Sequence, residues 1–296
     1  MNGVATDEHH PAEERLFLRH SHLREFVCGG SAAAINIVST FVPNKIMFRQ
    51  QLYGISAVDA WASLRADGWH LLYRGVSPPL MQATVSKSIM FGLYNSYHDV
   101  LTGHFGDHML DGVVPTATVA ALLTGTSEAV LAPFERVQTL LQTVKYNHEF
   151  TTATDAFVRI HATHGLRENY RGLTAIVLRN APSNVLFFGL RDHVRDLLPD
   201  TTTAGATLAA DFVSGAVLGA SLNTLFFPLN VAKTRMQSVY GDVRFISITE
   251  ALRLTYEERG RSIAKVYRGV ELNFFRSLVS WGIINAAYEK LMTLTE

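Results

Sequence analysis

The chain is poor in cysteine and in charge. A single cysteine, Cys28, stands among 296 residues. It cannot form an intramolecular disulfide or a Cys-rich metal site, and its small apolar neighbours mark it as a packed thiol. Charged residues make up 18%, below the roughly 25% usual for a soluble domain. The 26 basic and 26 acidic residues cancel, which leaves no basic excess for nucleic acid. No GxGxxG opens a helix after a strand, and P-loop and HExxH are both missing. That removes a Rossmann site, a nucleotide-hydrolysing loop and a zinc protease. No acid/base or nucleophile set takes their place, so the chain does not read as an enzyme. His161 and His164 have no further ligand type nearby and read as a solvated face. Met1–His22 lacks the apolar core of a secretory signal and the Arg/Ser bias of a transit peptide; residues 1–22 read as a disordered polar tail.

What is present is a repeat. Tyr-Arg-Gly occurs at 73–75, 170–172 and 267–269, with the glycines 97 residues apart both times. Three units of that period tile the chain as 23–105, 106–203 and 204–296. Six stretches approach the length that crosses a bilayer, about 20 mainly apolar residues: Phe26–Met47, Val76–Leu101, Val113–Leu141, Leu173–Val194, Leu208–Val231 and Val270–Leu294. Each holds a few polar residues, as helices do when they line a wet cavity. Small residues gather in the odd-numbered stretches, at Gly29–Ala34, at Gly125, Ser127 and Ala129, and at Gly215 and Gly219. They are expected to bring helices close. Ser56–Ala66 puts Ala57, Ala60, Trp61 and Leu64 on one face; Thr151–Thr163 does so with Ala153, Ala156, Phe157 and Ile160. Both are expected to lie as helices on a membrane surface.

A second pattern ends each odd stretch. It is Pro133-Phe-Glu-Arg-Val-Gln in the middle unit and Pro228-Leu-Asn-Val-Ala-Lys in the last. The first unit fits if Pro43 has slipped one place, which brings Gln51, Gln142 and Gln237 into register. A proline inside a helix removes a hydrogen bond and kinks it, so three such helices are expected to converge at one end.

These two patterns together resemble the mitochondrial carrier family from about Arg24 to the end of the chain. The resemblance implies an all-α membrane protein: six transmembrane helices in three tandem repeats with pseudo-threefold symmetry, short surface helices on the matrix side, and both termini in the intermembrane space. It also implies alternating access between two gates. Carried over residue by residue, the matrix-gate acid positions hold Asn44, Glu135 and Asn230, and the base positions Met47, Gln138 and Lys233. Glu135 is then expected to pair with Lys233, and Asn44 to face Gln138. Asn230 faces Met47 and lacks a partner. This departs from the family pattern, which has three ion pairs. Gln51, Gln142 and Gln237 fall at the positions of braces beneath the gate. Twenty residues after each repeat glycine the cytoplasmic gate is expected, with Asn95 and His98, Asp192 and Arg195, and Glu289 and Met292. The expected pairs are His98 with Asp192 and Arg195 with Glu289.

Seven residues after the glycines, at the family's substrate-contact level, stand Gln82, Arg179 and Arg276, with Asn180 beside Arg179. Glu128, Asn223 and Ile37 occupy a second cavity-lining level, and Lys87 adds positive charge. A packing pair between Arg179 and Glu128 is the structural alternative for that arginine. Tyr94, Phe187 and Trp281 offer ring faces for stacking. Arginine forks suit phosphate oxygens. The segments "FRQQLYGI", "PPLMQ", "MFGLY", "ERVQTLLQ", "SNVLFFGLR" and "RSLVSWGIINAAYE" look like the NAD-carrier subgroup. The resemblance thus implies NAD as a transported substrate rather than a cofactor, moved toward the matrix by a monomer among inner-membrane lipids. Two alternatives stand beside it: a carrier of another phosphate-bearing compound, such as coenzyme A or an adenine nucleotide, and a carrier-like scaffold that no longer transports.

Overall fold

A computed structural model describes residues 11–109, 114–197 and 204–294, apart from the side chains of 11–26, 84–92, 108–109, 192, 204–212, 281, 285 and 289. The first unit contributes α1 (Pro11–Tyr53), α2 (Ala57–Ala66) and α3 (Ser77–Phe105). The second contributes α4 (Thr116–Ser127), a 3-10 turn at Glu128–Leu131, α5 (Ala132–Gln142), α6 (Ala153–His164), α7 (Leu166–Asn169) and α8 (Leu173–Asp196). The third contributes α9 (Ala204–Leu225), α10 (Phe227–Gln237), α11 (Ile248–Glu258), α12 (Ile263–Val266) and α13 (Val270–Leu294). An antiparallel pair of two-residue strands, with His108 opposite Pro115, lies between the first unit and the second. Among the described residues, helix already covers 11–22, the second half of the stretch read as a disordered tail.

The long helices close a ring. α1 packs on α13 and α3, α3 on α4, α4 on α8, α8 on α9, and α9 on α13. The prolines act unequally. Pro228 opens α10 at a 61° bend from the helix before it, and Pro133 opens α5 after the 3-10 turn. Pro43 lies inside an unbroken α1. Thr116–Gln142 and Leu173–Asp196 are each long and apolar enough to cross a membrane, and the bent pair Val213–Leu225 with Phe227–Gln237 makes a third such span. Apolar side chains face outward, with Val130 57%, Phe275 64% and Val279 54% exposed, while arginine, asparagine and glutamine turn inward. That inversion suits a protein solvated by lipid outside and water within.

The recurring tripeptide works as a joint. Its glycines have φ of +86°, +84° and +95° at Gly75, Gly172 and Gly269, a region that side chains rarely enter. Its arginines donate to backbone carbonyls of the next unit. Arg74 reaches Tyr146, Asn147 and Phe150; Arg171 reaches Val243; Arg268 reaches Gly54. The third link returns to the first unit, so the ring is stapled all the way round. The glycine contacts also establish the register. A Cβ on Gly75 would meet Leu141 at 3.2 Å, and one on Gly269 would meet Gln50 at 3.3 Å. Leu141 immediately precedes Gln142 and Gln50 immediately precedes Gln51, which is the register that requires Pro43 to be one place late.

The surface helices share a start signal. Ser56 accepts from the Asp59 N–H, Thr152 from Asp155 and Ser247 from Glu250, the capping arrangement that satisfies free donors at a helix N-terminus. This Ser/Thr-x-x-acid pattern also marks α11, where Ile248, Ala251 and Leu252 recur at helical spacing although the two surface segments named from the sequence did not include it. Ala60 and Leu64 of α2 and Ala156 and Ile160 of α6 are buried, whereas Trp61 and Phe157, expected on the same faces, are exposed. Of the small residues, Gly125 behaves as expected. A Cβ there would come within 2.5 Å of the Ala181 Cα, so α4 and α8 touch backbone to backbone. Gly29, Gly30 and Gly219 have nothing within 4 Å of a Cβ, so no close helix approach occurs at them.

Candidate functional site

Where α1, α5 and α10 converge, the ring encloses a cavity of about 220 Å³ with a polar lining. Gln82, Arg179 and Arg276 all line it, as do Asn44, Met47, Gln51, Glu135, Gln138, Gln142, Asn223, Asn230 and Lys233. Three equal offsets from a repeated glycine therefore arrive at one space, because the three even helices start from the same joint. Glu128, Asn180 and Ile37 are not part of the lining; Asn180 Nδ2 donates to Glu128 Oε2 at 3.1 Å instead. The side chain of Lys87 lies outside the described residues.

At the floor, Lys233 Nζ donates to Glu135 Oε2 at 2.9 Å. The second carboxylate oxygen faces Arg179 Nη2 at 3.4 Å. Arg179 therefore pairs with Glu135 and not with Glu128, and its chain is long enough to reach down one turn from the contact level. It also donates to Asn230 Oδ1 at 2.7 Å and to Asn180 Oδ1 at 2.9 Å. Asn230, expected to lack a partner, has one in this arginine. Asn44 and Gln138 share the lining, yet among the described residues no hydrogen bond joins them.

The glutamines beneath are unequal. Gln51 Oε1 accepts from Thr234 Oγ1 at 3.0 Å, and Gln237 Oε1 from Thr139 Oγ1 at 3.2 Å. Gln142 has no such bond among the described residues; its Nε2, like that of Gln237, is buried without a partner. Buried Arg136 strengthens the α5–α10 side by donating to the Gln237 and Val239 carbonyls and to Glu168 Oε1. Asn273 is a lining residue that the offsets missed: it lies one turn before Arg276 and accepts from Arg276 Nη2 at 3.2 Å.

At the opposite end, the side chains of Asp192, Glu289 and Trp281 lie outside the described residues, and with them the expected pairs to His98 and Arg195 and one expected ring face. His98 Nδ1 is 4.0 Å from Asp99 Oδ1, and Asn95 is exposed. Tyr94 stacks on Phe188, with centroids 3.7 Å apart and planes 5° apart. Phe187 meets Phe188 edge-on. The face of Tyr94 is thus occupied by a ring that the offsets did not nominate.

A polar cavity with one carboxylate between two cations at its floor, inside a threefold ring with an apolar exterior, has the form of a carrier. The family model described as mitochondrial carrier protein matches residues 19–105, 111–202 and 205–296. The human mitochondrial nicotinamide adenine dinucleotide transporter SLC25A51 is 47% identical over 270 residues, covering 91% of this chain and 89% of its own length. Human SLC25A52, of the same description, is 47% identical over 270 residues, at 91% and 89% coverage. The mitochondrial arginine transporter BAC2 of Arabidopsis thaliana is 30% identical over 287 residues, at 92% of each chain. Matched along three units by one family model and along nearly its whole length by transporters, this chain belongs to the mitochondrial carrier family.

Proposed function

We propose that the protein carries NAD across the mitochondrial inner membrane, into the matrix, by alternating access around the cavity between α1, α5 and α10. The observation that carries this reading is the pair of arginines at equivalent positions of two repeats, both on the cavity wall. Midplane arginines call for an anion, and guanidinium forks match phosphate oxygens. The 47% identity to proteins described as NAD transporters supports the choice of nucleotide. A cavity of about 220 Å³ is below the roughly 300–1,000 Å³ of small-molecule sites. It takes the charged centre of a dinucleotide, while the rings reach toward the Tyr94 end. Substrate held between repeats and gates that open in turn follow the general scheme of repeat-built transporters.

Glu135 and Lys233 form the matrix gate, with Asn230 and the glutamines around them, and Arg179 links that gate to the substrate. A phosphate that draws Arg179 away leaves Glu135 with one cation instead of two. His98, Arg195, Asp192 and Glu289 form the opposing gate. The chain works as a monomer, with lipid around its apolar belt.

Uptake of labelled NAD by purified protein in liposomes tests the reading, with unlabelled coenzyme A and ADP as competitors. NAD uptake that Arg179→Ala and Arg276→Ala abolish is the expected result. Preferred uptake of a competitor replaces NAD by that compound, and absence of all uptake returns the chain to a scaffold.

A further inference from the structure

We propose that Asn273 is a specificity-determining residue that touches substrate, its side-chain amide donating to an oxygen of the same phosphate that Arg276 holds. This rests on the reading of the cavity as a nucleotide carrier's and adds to it the position of one anion.

Asn273 is 4% exposed and lines the cavity. Its Oδ1 accepts from Arg276 Nη2 at 3.2 Å. Because an arginine only donates, the contact orients the amide and turns Nδ2 the other way. Nδ2 is buried and has no partner. The helix needs nothing from this side chain: the Asn273 N–H donates to the Gly269 carbonyl at 2.9 Å, and the Asn273 carbonyl accepts from Ser277 Oγ at 2.8 Å. Nor does the repeated scaffold need it. Four residues after the joint glycine the other units have Pro79 and Ile176, neither with a polar side chain. A buried donor left unmade is costly, and this one occurs in a single repeat, on the cavity wall.

The two arginines are not equivalent. Arg179 is held by Glu135, Asn230 and Asn180. Arg276 has no carboxylate within 4.0 Å among the described residues, and its Nε is buried without a partner. An asparagine orients that guanidinium without cancelling its charge, which an aspartate would do. The subsite therefore presents only donors, from a guanidinium and an amide, which fits a phosphate oxygen cluster. An arriving anion meets this subsite with no ion pair to break, whereas at Arg179 it must displace Glu135.

The test compares native protein with Asn273→Ala, Asn273→Ser and Asn273→Asp in two assays: NAD uptake into liposomes, and the thermal shift of detergent-solubilised protein on adding inorganic pyrophosphate. Asn273→Ala is expected to raise the half-saturating NAD concentration about tenfold, the size of one hydrogen bond to a charged group, while the maximal rate stays within a factor of about two. Asn273→Asp is expected to abolish both uptake and the pyrophosphate shift. Native half-saturation in a folded Asn273→Ala protein overturns the proposal. If that variant does not fold, Asn273→Ser is judged by the same split. If the native protein takes up no NAD, the nucleotide reading falls separately, and the pyrophosphate shift decides on Asn273: a shift lost in the alanine variant supports the subsite, and an unchanged shift overturns it.

Discussion

Phe48 occupies the place where Gln142 would find its hydroxyl. Gln51 meets Thr234 and Gln237 meets Thr139; in the register of the first unit, the equivalent of those threonines is Phe48. Both Phe48 and Gln142 line the cavity floor, and the Gln142 amide nitrogen is buried without a partner. The brace between α5 and α1 is therefore missing, while α10 is braced on both sides. Gln51→Met and Gln237→Met should each lower stability by about 1 kcal/mol, the net value of one hydrogen bond. Gln142→Met should be neutral or stabilising, since it removes an unmet polar group and, unlike the other two, breaks no bond to a threonine. Thermal unfolding of the three purified variants checks the contrast.

The gate pair cannot be inverted cleanly. Lys233 and Arg179 both face Glu135, so Glu135→Lys with Lys233→Glu leaves a lysine beside Arg179. The single variants should each lose about 3 kcal/mol, as when one partner of a buried pair is removed. The swap should restore less than half of that and leave transport impaired. Adding Arg179→Gln to the swap should recover stability but not uptake. Unfolding midpoints measured alongside liposome uptake separate the two effects.

The joint glycines should differ from ordinary turn glycines. Gly172 has φ +84°, and a Cβ would sit 3.0 Å from Gln237 Cγ; Gly165 has φ +74° with nothing within 4 Å. Gly172→Ala carries both strain and a collision with a brace and should cost about 2–3 kcal/mol, whereas Gly165→Ala carries strain alone, about 1 kcal/mol. Melting temperatures of the two variants test the order.

The proposed opposing gate is tested by charge reversal. If Arg195 pairs with Glu289, then Arg195→Glu and Glu289→Arg should each reduce NAD uptake severalfold, and the double reversal should restore most of it. Uptake that stays low in the double variant would assign these residues to other partners.

The architecture was legible because it is written three times. The offset implied by the family resemblance, counted from Gly75, Gly172 and Gly269, led to Gln82, Arg179 and Arg276, and all three reach one cavity. The resemblance also implied the pair of Glu135 with Lys233, which are 2.9 Å apart. The slipped proline was also readable, since Gln51, Gln142 and Gln237 align only if Pro43 is displaced by one residue, and the glycine contacts agree.

Counting failed where side chains reach beyond their own level. It missed Asn273, which has no polar counterpart in the other repeats, and it left Asn230 without the arginine that binds it. It did not foresee that Arg179, for which a pair with Glu128 stood only as the alternative to substrate contact, reaches Glu135. The sequence by itself determined three units and six long apolar stretches, because periodicity and residue type are properties of order along the chain, and the family resemblance it carries supplied the cavity level and the gate positions. Only the tertiary structure decided which donor meets which acceptor, that one brace is lost to Phe48, and that Arg179 is held while Arg276 is not. Those depend on side-chain reach across a closed ring, where one carboxylate, Glu135, must serve two cations.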